Sequence, residues 1–337
     1  MKKQILILTL LLPLLAGCTA KQPELLPCTP GEAQRLVVYT SHKEEVYTPI
    51  IREFEERTGI WVDVVSGGTN ELLQRIQQEA DAPKADVMFG GGVESLESYQ
   101  DCFSPYICRE AAGISEQFQA ESGCWTPFSA LPVVLVYNTK LVAPESLTSW
   151  KDLESPAFRG KIAFADPQIS GSSYTALVTR LQTGGGIEDS LTRLCTALDG
   201  KQLDSSGAVL TAVADGSALV GITLEETALQ HIAAGEDIAL VYPSDGTSCV
   251  PDGSALVKGA PHGDNARLFL DFTVSTDVQS MVGQRFCRRT VRADIPADPS
   301  LPPLSTLNML SYDVEWASQN RDRLLSEWSF LLGEVPS

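Results

Sequence analysis

Strand-like and helix-like segments alternate from residue 35 to residue 89, and this alternation constrains the fold more than any other feature of the chain. The residues predict a strand, a helix, a strand, a helix and a strand, at 35–40, 44–57, 60–65, 70–79 and 86–89. Strands that alternate with helices form parallel sheets through right-handed crossovers. The sequence therefore predicts an α/β fold that begins with a parallel sheet.

A second α/β unit is predicted over residues 132–253, which contain strands at 132–138, 161–165, 218–223 and 239–242 separated by helical segments. A Pro- and Gly-rich loop at 243–253 precedes a strand at 254–257 that returns to the first unit. Two crossings between units predict a hinge and a cleft. We expect two α/β domains joined by this hinge. The predicted boundaries are 35–131 with 254–300, then 132–253, then a C-terminal helical segment at 301–337.

The amino-terminal residues resemble a bacterial lipoprotein signal. Lys2 and Lys3 precede the apolar run 5–15, and Cys18 follows. The run is too short for a permanent membrane-spanning helix. The resemblance implies a signal peptide at 1–17, lipid attachment to Cys18 and a tether at 18–34, so that the protein is anchored at the extracellular face of the cytoplasmic membrane or in the periplasm. A plain secretory signal is the alternative.

The net charge is −18, and removal of Lys2 and Lys3 with the signal lowers it to −20. A surface this acidic argues against binding to nucleic acid or to anionic lipid headgroups. It leaves room for an anionic ligand, because a cleft can be positive locally. Beyond the signal, no apolar run approaches the roughly 20 residues that cross a bilayer, which excludes a permease.

Cysteine and histidine positions bear on disulfides and metals. Of eight cysteines, Cys102, Cys108 and Cys124 lie close together in the sequence, so an exported chain could form one disulfide among them. No C-x-x-C spacing occurs, and the three histidines are scattered. We therefore expect neither a metal site nor a cofactor.

The loop 166–174 joins the predicted strand 161–165 to a predicted helix at 174–181. Its small residues leave backbone N–H groups free at the positive end of that helix, and three serine hydroxyls add donors. Such a turn suits phosphate, phosphonate or carboxylate. An ordinary serine N-cap is the alternative. The candidate ligand-binding residues here are Ser170, Gly171, Ser172 and Ser173.

Three loops that follow the first strands form the other predicted wall of the site. In α/β sheets ligands lie beyond the carboxyl ends of the strands, where these loops would meet. No G-x-G-x-x-G follows the first strand, so the pattern does not predict a nucleotide site. The glycines could also serve only as turn residues. The candidates from these loops are Ser41, His42, Gly68, Thr69 and Gly91.

Several segments together resemble the solute-binding proteins of ABC importers, which have the type II periplasmic-binding fold. They are Thr40-Ser-His-Lys-Glu44, Glu56-Arg-Thr-Gly-Ile60 and Lys84-Ala-Asp-Val87, which match the ferric-iron-binding branch. The resemblance covers about residues 35–290. It implies a monomer that closes two domains over a small solute and presents it to membrane permease subunits.

One departure from the ferric-binding pattern changes the expected solute. Ferric binders carry a tyrosine pair after the strand that corresponds to 218–223, but this chain reads Thr223-Leu-Glu-Glu-Thr227 there. The loops 170–173 and 242–248 instead resemble those of hexose-phosphate and aminoethylphosphonate binders. The resemblance implies a phosphoryl group held between the serine loop and Ser41 and His42, with Glu225 or Glu226 accepting from a hydroxyl or ammonium group of the solute.

Each of these roles has a simpler alternative. His42 could be a solvated loop histidine, although a protonated imidazole would strengthen anion binding. The two glutamates could simply stabilise the amino end of a helix. Asp245 and Thr247 are weaker ligand candidates in a loop, and Asp252 is expected to shape the hinge.

The sequence thus predicts a lipid-anchored importer component that captures a small anionic organic solute. A sensor that presents the same ligand to a membrane histidine kinase is one alternative, and a binder of ferric iron, a polyamine or a thiamine-like solute is another. The chain has no carboxylate pair at metal spacing and no G-x-S-x-G motif, so we expect no enzymatic activity.

Overall fold

Strands and helices alternate along residues 30–333, the part of the chain that the computed structural model describes. The strands are β1 (Arg35–Thr40), β2 (Trp61–Ser66), β3 (Val87–Gly92), β4 (Phe103–Ser104), β5 (Thr126–Asn138), β6 (Ile162–Ala163), β7 (Val220–Leu224), β8 (Ile238–Val241), β9 (Cys249–Val257) and β10 (Arg289–Thr290). The helices are α1 (Glu44–Thr58), α2 (Thr69–Gln78), α3 (Val93–Ser98), α4 (Gly171–Gln182), α5 (Ile187–Leu198), α6 (Ser206–Ala214), α7 (Glu225–Ala233), α8 (Gly263–Thr273), α9 (Thr276–Phe286), α10 (Val314–Gln319) and α11 (Arg321–Leu332).

The first three strands form the predicted parallel sheet. β1 pairs in parallel with β2 on one side and with β3 on the other. Helix α1 ends at Thr58 and is capped by Gly59, whose φ of 70° is the left-handed conformation that glycine adopts without a Cβ penalty. The predicted β-α-β-α-β order is confirmed, with element boundaries that differ by at most three residues.

The strands β5 and β9 join two halves of the sheet. Residues 126–132 of β5 pair antiparallel with β9, and residues 133–138 pair with β7 and β8. All thirteen residues of β5 are buried. We call β1–β4, β9, β10 and residues 126–132 the first half-sheet, and β6–β8 with residues 133–138 the second half-sheet. The chain therefore crosses between the half-sheets in β5 and again where β9 begins.

The return crossing starts earlier than predicted. The sequence predicts a loop over 243–253, but β9 already begins at Cys249. Pro251 and Gly253 suggested the loop. Pro251 pairs with Ala130 of β5, whereas the pairing of β9 with β3 begins at the next residue, Asp252, so Pro251 has a partner strand on one side only.

Each half-sheet has its own apolar core. In the first, Phe54, Phe89 and Phe269 pack edge to face, with ring centroids 5.1–5.4 Å apart. In the second, Trp150 and Phe164 are buried between the sheet and α4, α5 and α11. These separate cores agree with the predicted two-domain plan, whose boundaries remain a prediction.

The cysteines correct one expectation. Cys102, Cys108 and Cys124 are all free thiols, so the predicted disulfide among them is wrong. The Cys108 sulfur instead lies 3.3 Å from the Thr126 hydroxyl inside the first core. Cys18, the predicted lipid-attachment residue, lies outside the described residues. Within residues 30–333, no helix is both long enough and apolar enough to cross a bilayer.

The C-terminal segment that was predicted at 301–337 contains α10 and α11, with a break at Asn320 between them. Trp328 is completely buried, and its ring meets Phe164 at 5.5 Å between centroids. Its indole N–H donates to Gln202 Oε1 at 2.9 Å. The segment is therefore part of the second core.

We expect Trp328→Ala to lower the free energy of unfolding by about 3–5 kcal/mol, because it leaves a cavity in the second core and removes the hydrogen bond that the indole donates to Gln202. Phe330→Ala on the same helix is the matched control, since Phe330 is 79% exposed and should change stability by at most about 0.5 kcal/mol. Urea denaturation measures both. Equal effects of the two substitutions would contradict the placement of α11 in the core.

Candidate functional site

A cavity of about 390 Å³ lies between the two half-sheets. One wall comes from the carboxyl ends of the first strands, with residues 41–43 after β1, 68–69 after β2 and 91–92 at the end of β3. The facing wall contains residues 169–172 before and at the start of α4. The position beyond the carboxyl ends of parallel strands is the one predicted for ligands in α/β sheets.

The cavity brings together most of the residues that the sequence predicted. Ser173 and Glu225 do not line it. The Ser173 hydroxyl hydrogen-bonds to Ser170 Oγ at 3.1 Å, and Glu225 binds other side chains behind the wall. The predicted residues that do line the cavity are Ser41, His42, Gly68, Thr69, Gly91, Ser170, Gly171, Ser172 and Glu226.

The amino ends of four helices, α2, α4, α6 and α7, contribute residues to the cavity wall. Local sequence explains two of these starts, because Ser170 and Ser205 are N-caps that accept from the backbone N–H three residues later, at 3.3 Å in both cases. Backbone N–H groups in the first turn have no helical partner, and the helix dipole makes that end positive. The cavity is therefore suited to an anion although the chain is acidic.

Glycine allows the two walls to approach closely. Gly91 has φ of 99°, and a Cβ there would lie 2.7 Å from Thr69 Cγ2. A Cβ on Gly171, in the facing wall, would lie 3.2 Å from Thr69 Oγ1. The Thr69 side chain thus lies between Gly91 and Gly171. A larger residue at either glycine position would displace Thr69 into the cavity or away from the facing wall.

Arg288 is a cavity residue that sequence reasoning missed. Its guanidinium is buried and donates to Asp252 Oδ2 at 2.5 Å, to Ser129 Oγ at 3.0 Å and to Glu226 Oε1 at 3.2 Å. Burial lowers the pKa of Arg288, but the two carboxylates raise it by more, so the group stays charged. The cluster joins β9 and β5 to the start of α7, and it links the two half-sheets beneath the cavity.

His42 lies beside this cluster and is 7% exposed. Its Nδ1 is 3.7 Å from Asp252 Oδ2, and Nε2 has no hydrogen-bond partner among the described residues. Burial lowers the pKa of His42 well below its ordinary value, and the positive charge of Arg288 lowers it further. The imidazole is therefore neutral near pH 7, which corrects the expectation that protonation would help it to bind an anion.

The adjacent glutamates have separate roles. Arg289 donates to both oxygens of Glu225, at 2.7 and 2.8 Å, and the Tyr242 hydroxyl donates to the same carboxylate. Glu225 is thus held in a buried cluster, and only Glu226 reaches the cavity. Because neighbouring helical residues point about 100° apart, the two cannot share a face.

The two weaker ligand candidates, Asp245 and Thr247, and the expected hinge residue, Asp252, make mainly structural contacts. Asp245 accepts from the backbone N–H of Trp150 at 3.0 Å, and Thr247 donates to the Val133 carbonyl at 2.6 Å. Neither lines the cavity. Asp252 accepts from the backbone N–H of Ser129 at 2.8 Å and so connects the two crossing strands, as expected for a hinge residue, and it also lines the cavity.

A family model described as bacterial extracellular solute-binding protein matches residues 36–285. The chain belongs to this family. Iron uptake protein A1 from Synechocystis sp. is 26% identical over 306 residues, which cover 86% of this chain and 84% of that protein. A putative 2-aminoethylphosphonate-binding periplasmic protein from Salmonella typhi is 22% identical over 262 residues, covering 73% of this chain and 74% of that protein.

The solved structure of the periplasmic binding protein AfuA from Actinobacillus pleuropneumoniae, with exogenous fructose-6-phosphate bound, has the same fold. It is 25% identical, the TM-score is 0.83, and the match covers 89% of this chain and 99% of AfuA. The predicted type II periplasmic-binding fold is therefore confirmed for this solute-binding protein. Among its residues 30–333, no three His, Cys, Asp or Glu side chains are grouped to hold a metal ion.

The neutral His42 predicts the pH dependence of stability. Because its pKa is lowered in the folded state, it favours folding above its ordinary value of 6.5, and this contribution is lost as the pH falls. We expect the free energy of unfolding of His42→Gln, measured with urea, to fall less between about pH 7.5 and about pH 5 than that of the unchanged protein.

His262 provides the opposite control. Burial lowers its pKa, but hydrogen bonds to Glu32 and Asp86 raise it by more, so its contribution is present at low pH and lost as the pH rises. His262→Gln should therefore steepen the acid-side loss of stability. If both variants change the pH slope in the same direction, the assigned charge state of His42 is wrong.

Proposed function

We propose that this solute-binding protein is the binding component of an ABC importer and that it captures a small organic solute carrying a phosphate or phosphonate group. The observation that carries the proposal is the convergence of four helix amino ends on one cavity. Each end offers unpaired N–H donors and a partial positive charge to an anion. No covalent chemistry is needed, because the task is capture and release.

The serine-rich wall suits a phosphoryl group. Hydroxyls of Ser41, Ser170 and Ser172 lie around the same cavity as the first-turn N–H groups of α2 and α4. Hydrogen bonds to a charged acceptor contribute about 1.5–3 kcal/mol each. His42 also lines the cavity, and its buried Nε2 has no hydrogen-bond partner among the described residues. Together these groups match the several oxygens of a phosphate or phosphonate.

Acceptors in the wall suit the organic portion of the solute. Asp204 and Glu226 both line the cavity, and a carboxylate beside a phosphoryl group would repel it. They are therefore assigned to hydroxyl or ammonium groups at the other end of the solute. The solved AfuA structure, which holds a sugar phosphate, and the relative named for 2-aminoethylphosphonate both support a solute of this kind.

Ferric iron is the second candidate, because one relative is named an iron uptake protein. The cavity wall offers His42, Asp204, Glu226 and Asp252, and none of the tyrosines within residues 30–333 lines it. Asp252 and Glu226 already accept from Arg288. Iron would have to displace that guanidinium, so the arrangement favours an organic anion. A polyamine or thiamine-like cation would meet the same positive helix ends.

The experiment is a calorimetric titration against fructose 6-phosphate, 2-aminoethylphosphonate, inorganic phosphate, ferric citrate, spermidine and thiamine. We expect binding to at least one of the two organic phosphorus compounds. Ferric citrate or spermidine binding without either of them would overturn the assignment of solute class.

Ser170→Ala should separate ligand binding from helix capping. Ser170 caps α4 in the cavity wall, and Ser275 caps α9 in the same way outside it. Each change to alanine should cost about 1 kcal/mol of stability, whereas only Ser170→Ala should weaken the binding of the solute, by about tenfold or more. Equal affinities in the two variants would remove Ser170 from the site.

We propose further that Cys18 carries the lipid, that the monomer is displayed outside the cytoplasmic membrane, and that it presents solute to permease subunits. Presentation to a histidine kinase instead is the alternative, and a transport assay with radiolabelled solute distinguishes the two. Radiolabelled palmitate should label the protein, and Cys18→Ala should abolish the label. Equal labelling of Cys18→Ala would contradict the anchor.

A further inference from the structure

The C-terminal segment touches both half-sheets next to the cavity, which gives it a position to influence solute binding. Its α11 packs in the second core through Trp328. Its α10 contacts α3 of the first half-sheet, where the Ser98 hydroxyl donates to the Ser318 carbonyl at 3.3 Å. Arg321 then begins α11 and contacts Asn70, the residue after the cavity-lining Thr69.

Asn70 links the two walls of the cavity directly. It follows Thr69, a lining residue of α2, and its side-chain NH₂ donates to the carbonyl of Gln168. Gln168 precedes Ile169, the first lining residue of the facing loop. The hydrogen bond therefore joins the wall after β2 to the serine loop, one residue away from the lining positions on each side.

Arg321 fixes the orientation of the Asn70 side chain. Its Nη2 donates to Asn70 Oδ1 at 2.6 Å, and its guanidinium lies 5.0 Å from the centre of the Tyr174 ring in α4. Arg321 is 6% exposed and Asn70 is 8% exposed. The Asn70 amide donates through its NH₂ to Gln168 and accepts from Arg321 at its oxygen, so it cannot flip without losing both hydrogen bonds. The C-terminal segment thus determines how Asn70 presents its donor.

Two neighbouring contacts connect the same elements. The Tyr174 hydroxyl donates to the Ala317 carbonyl at 2.5 Å, which ties α4 to α10. The Thr175 hydroxyl donates to the buried Glu94 carboxylate of α3, and Thr175 itself lines the cavity. Burial raises the pKa of Glu94, and the charge of Arg321 opposes that change. The seam between the half-sheets is therefore hydrogen-bonded beside the cavity.

We propose that Asn70 and Arg321 are positioning residues for the cavity: they hold the amino end of α2 against the serine loop, so that solute affinity depends on the C-terminal segment. This inference rests on the proposed function. Neither side chain lines the cavity. They act by keeping donors from both walls at the spacing that one anion can bridge, and a solute that bridges the walls is released only when this seam separates.

The test compares Asn70→Ala, Arg321→Met and the double variant with Arg323→Met. Arg323 lies two residues further along α11, is more exposed, and bonds to Glu327 and Asn320, so its substitution removes the same charge without breaking the contact to Asn70. Fructose 6-phosphate and inorganic phosphate serve as probes in stopped-flow binding. Urea denaturation of the solute-free proteins measures stability separately.

We expect each single variant at the seam to bind fructose 6-phosphate about 10- to 100-fold more weakly. The loss should come from faster dissociation, while the association rate stays within about threefold of that of the unchanged protein. The double variant should bind fructose 6-phosphate only slightly more weakly than the single variant with the lower affinity, because both substitutions break the same connected set of hydrogen bonds. Arg323→Met should bind within about twofold of the unchanged protein.

Hydrogen exchange of the solute-free proteins gives a readout that needs no ligand. Amides of residues 166–173 should exchange faster in Asn70→Ala and in Arg321→Met, but not in Arg323→Met. Unchanged exchange in this loop, or an affinity loss carried by the association rate, would overturn the inference. If a variant fails to fold, Asn70→Ser, which is too short to bridge both partners, replaces it. If the unchanged protein binds no solute, the proposed function fails, and exchange alone decides the inference.

Discussion

The antiparallel pairing of β5 with β9 is the constraint on which the rest of the structure depends. A single buried strand of thirteen residues pairs with β9 and β10 in one half and with β7 and β8 in the other. Asp252 of β9 accepts from Ser129 of β5 and from Arg288, so a buried charge cluster is built on the two crossing strands. The cavity lies where these strands bring the half-sheets together, and its walls are loops that both halves contribute.

The electrostatics of the cavity differ from those of the chain as a whole. The net charge of −18 describes the surface, which keeps the protein soluble and repels polyanions. The cavity is surrounded by helix dipoles, which carry no net charge, and the Arg288 cation is balanced by Asp252 and Glu226. Affinity for an anion would then come mainly from oriented N–H and hydroxyl donors. Such donors select by geometry, because each must point at a particular oxygen.

Local sequence patterns predicted much of the fold and part of the site. β1 begins and ends at the predicted residues, because strand alternation depends only on neighbours. α9 was missed although Val278, Val282 and Phe286 have helical spacing after the N-cap Ser275. Arg288 was also missed. Its partners Asp252 and Glu226 are 36 and 62 residues away, and the only local signal is a pair of arginines in an acidic chain.

By itself, the sequence determined the β-α-β-α-β order of the first strands and helices, the family to which the chain belongs, and the loops that meet at the cavity, since strand direction places those loops at one edge. Tertiary structure alone decided that Glu226 faces the cavity while Glu225 is bound by Arg289. It also decided that His42 is neutral. The reason is that burial and pairing depend on groups far away in the chain, which no local pattern specifies.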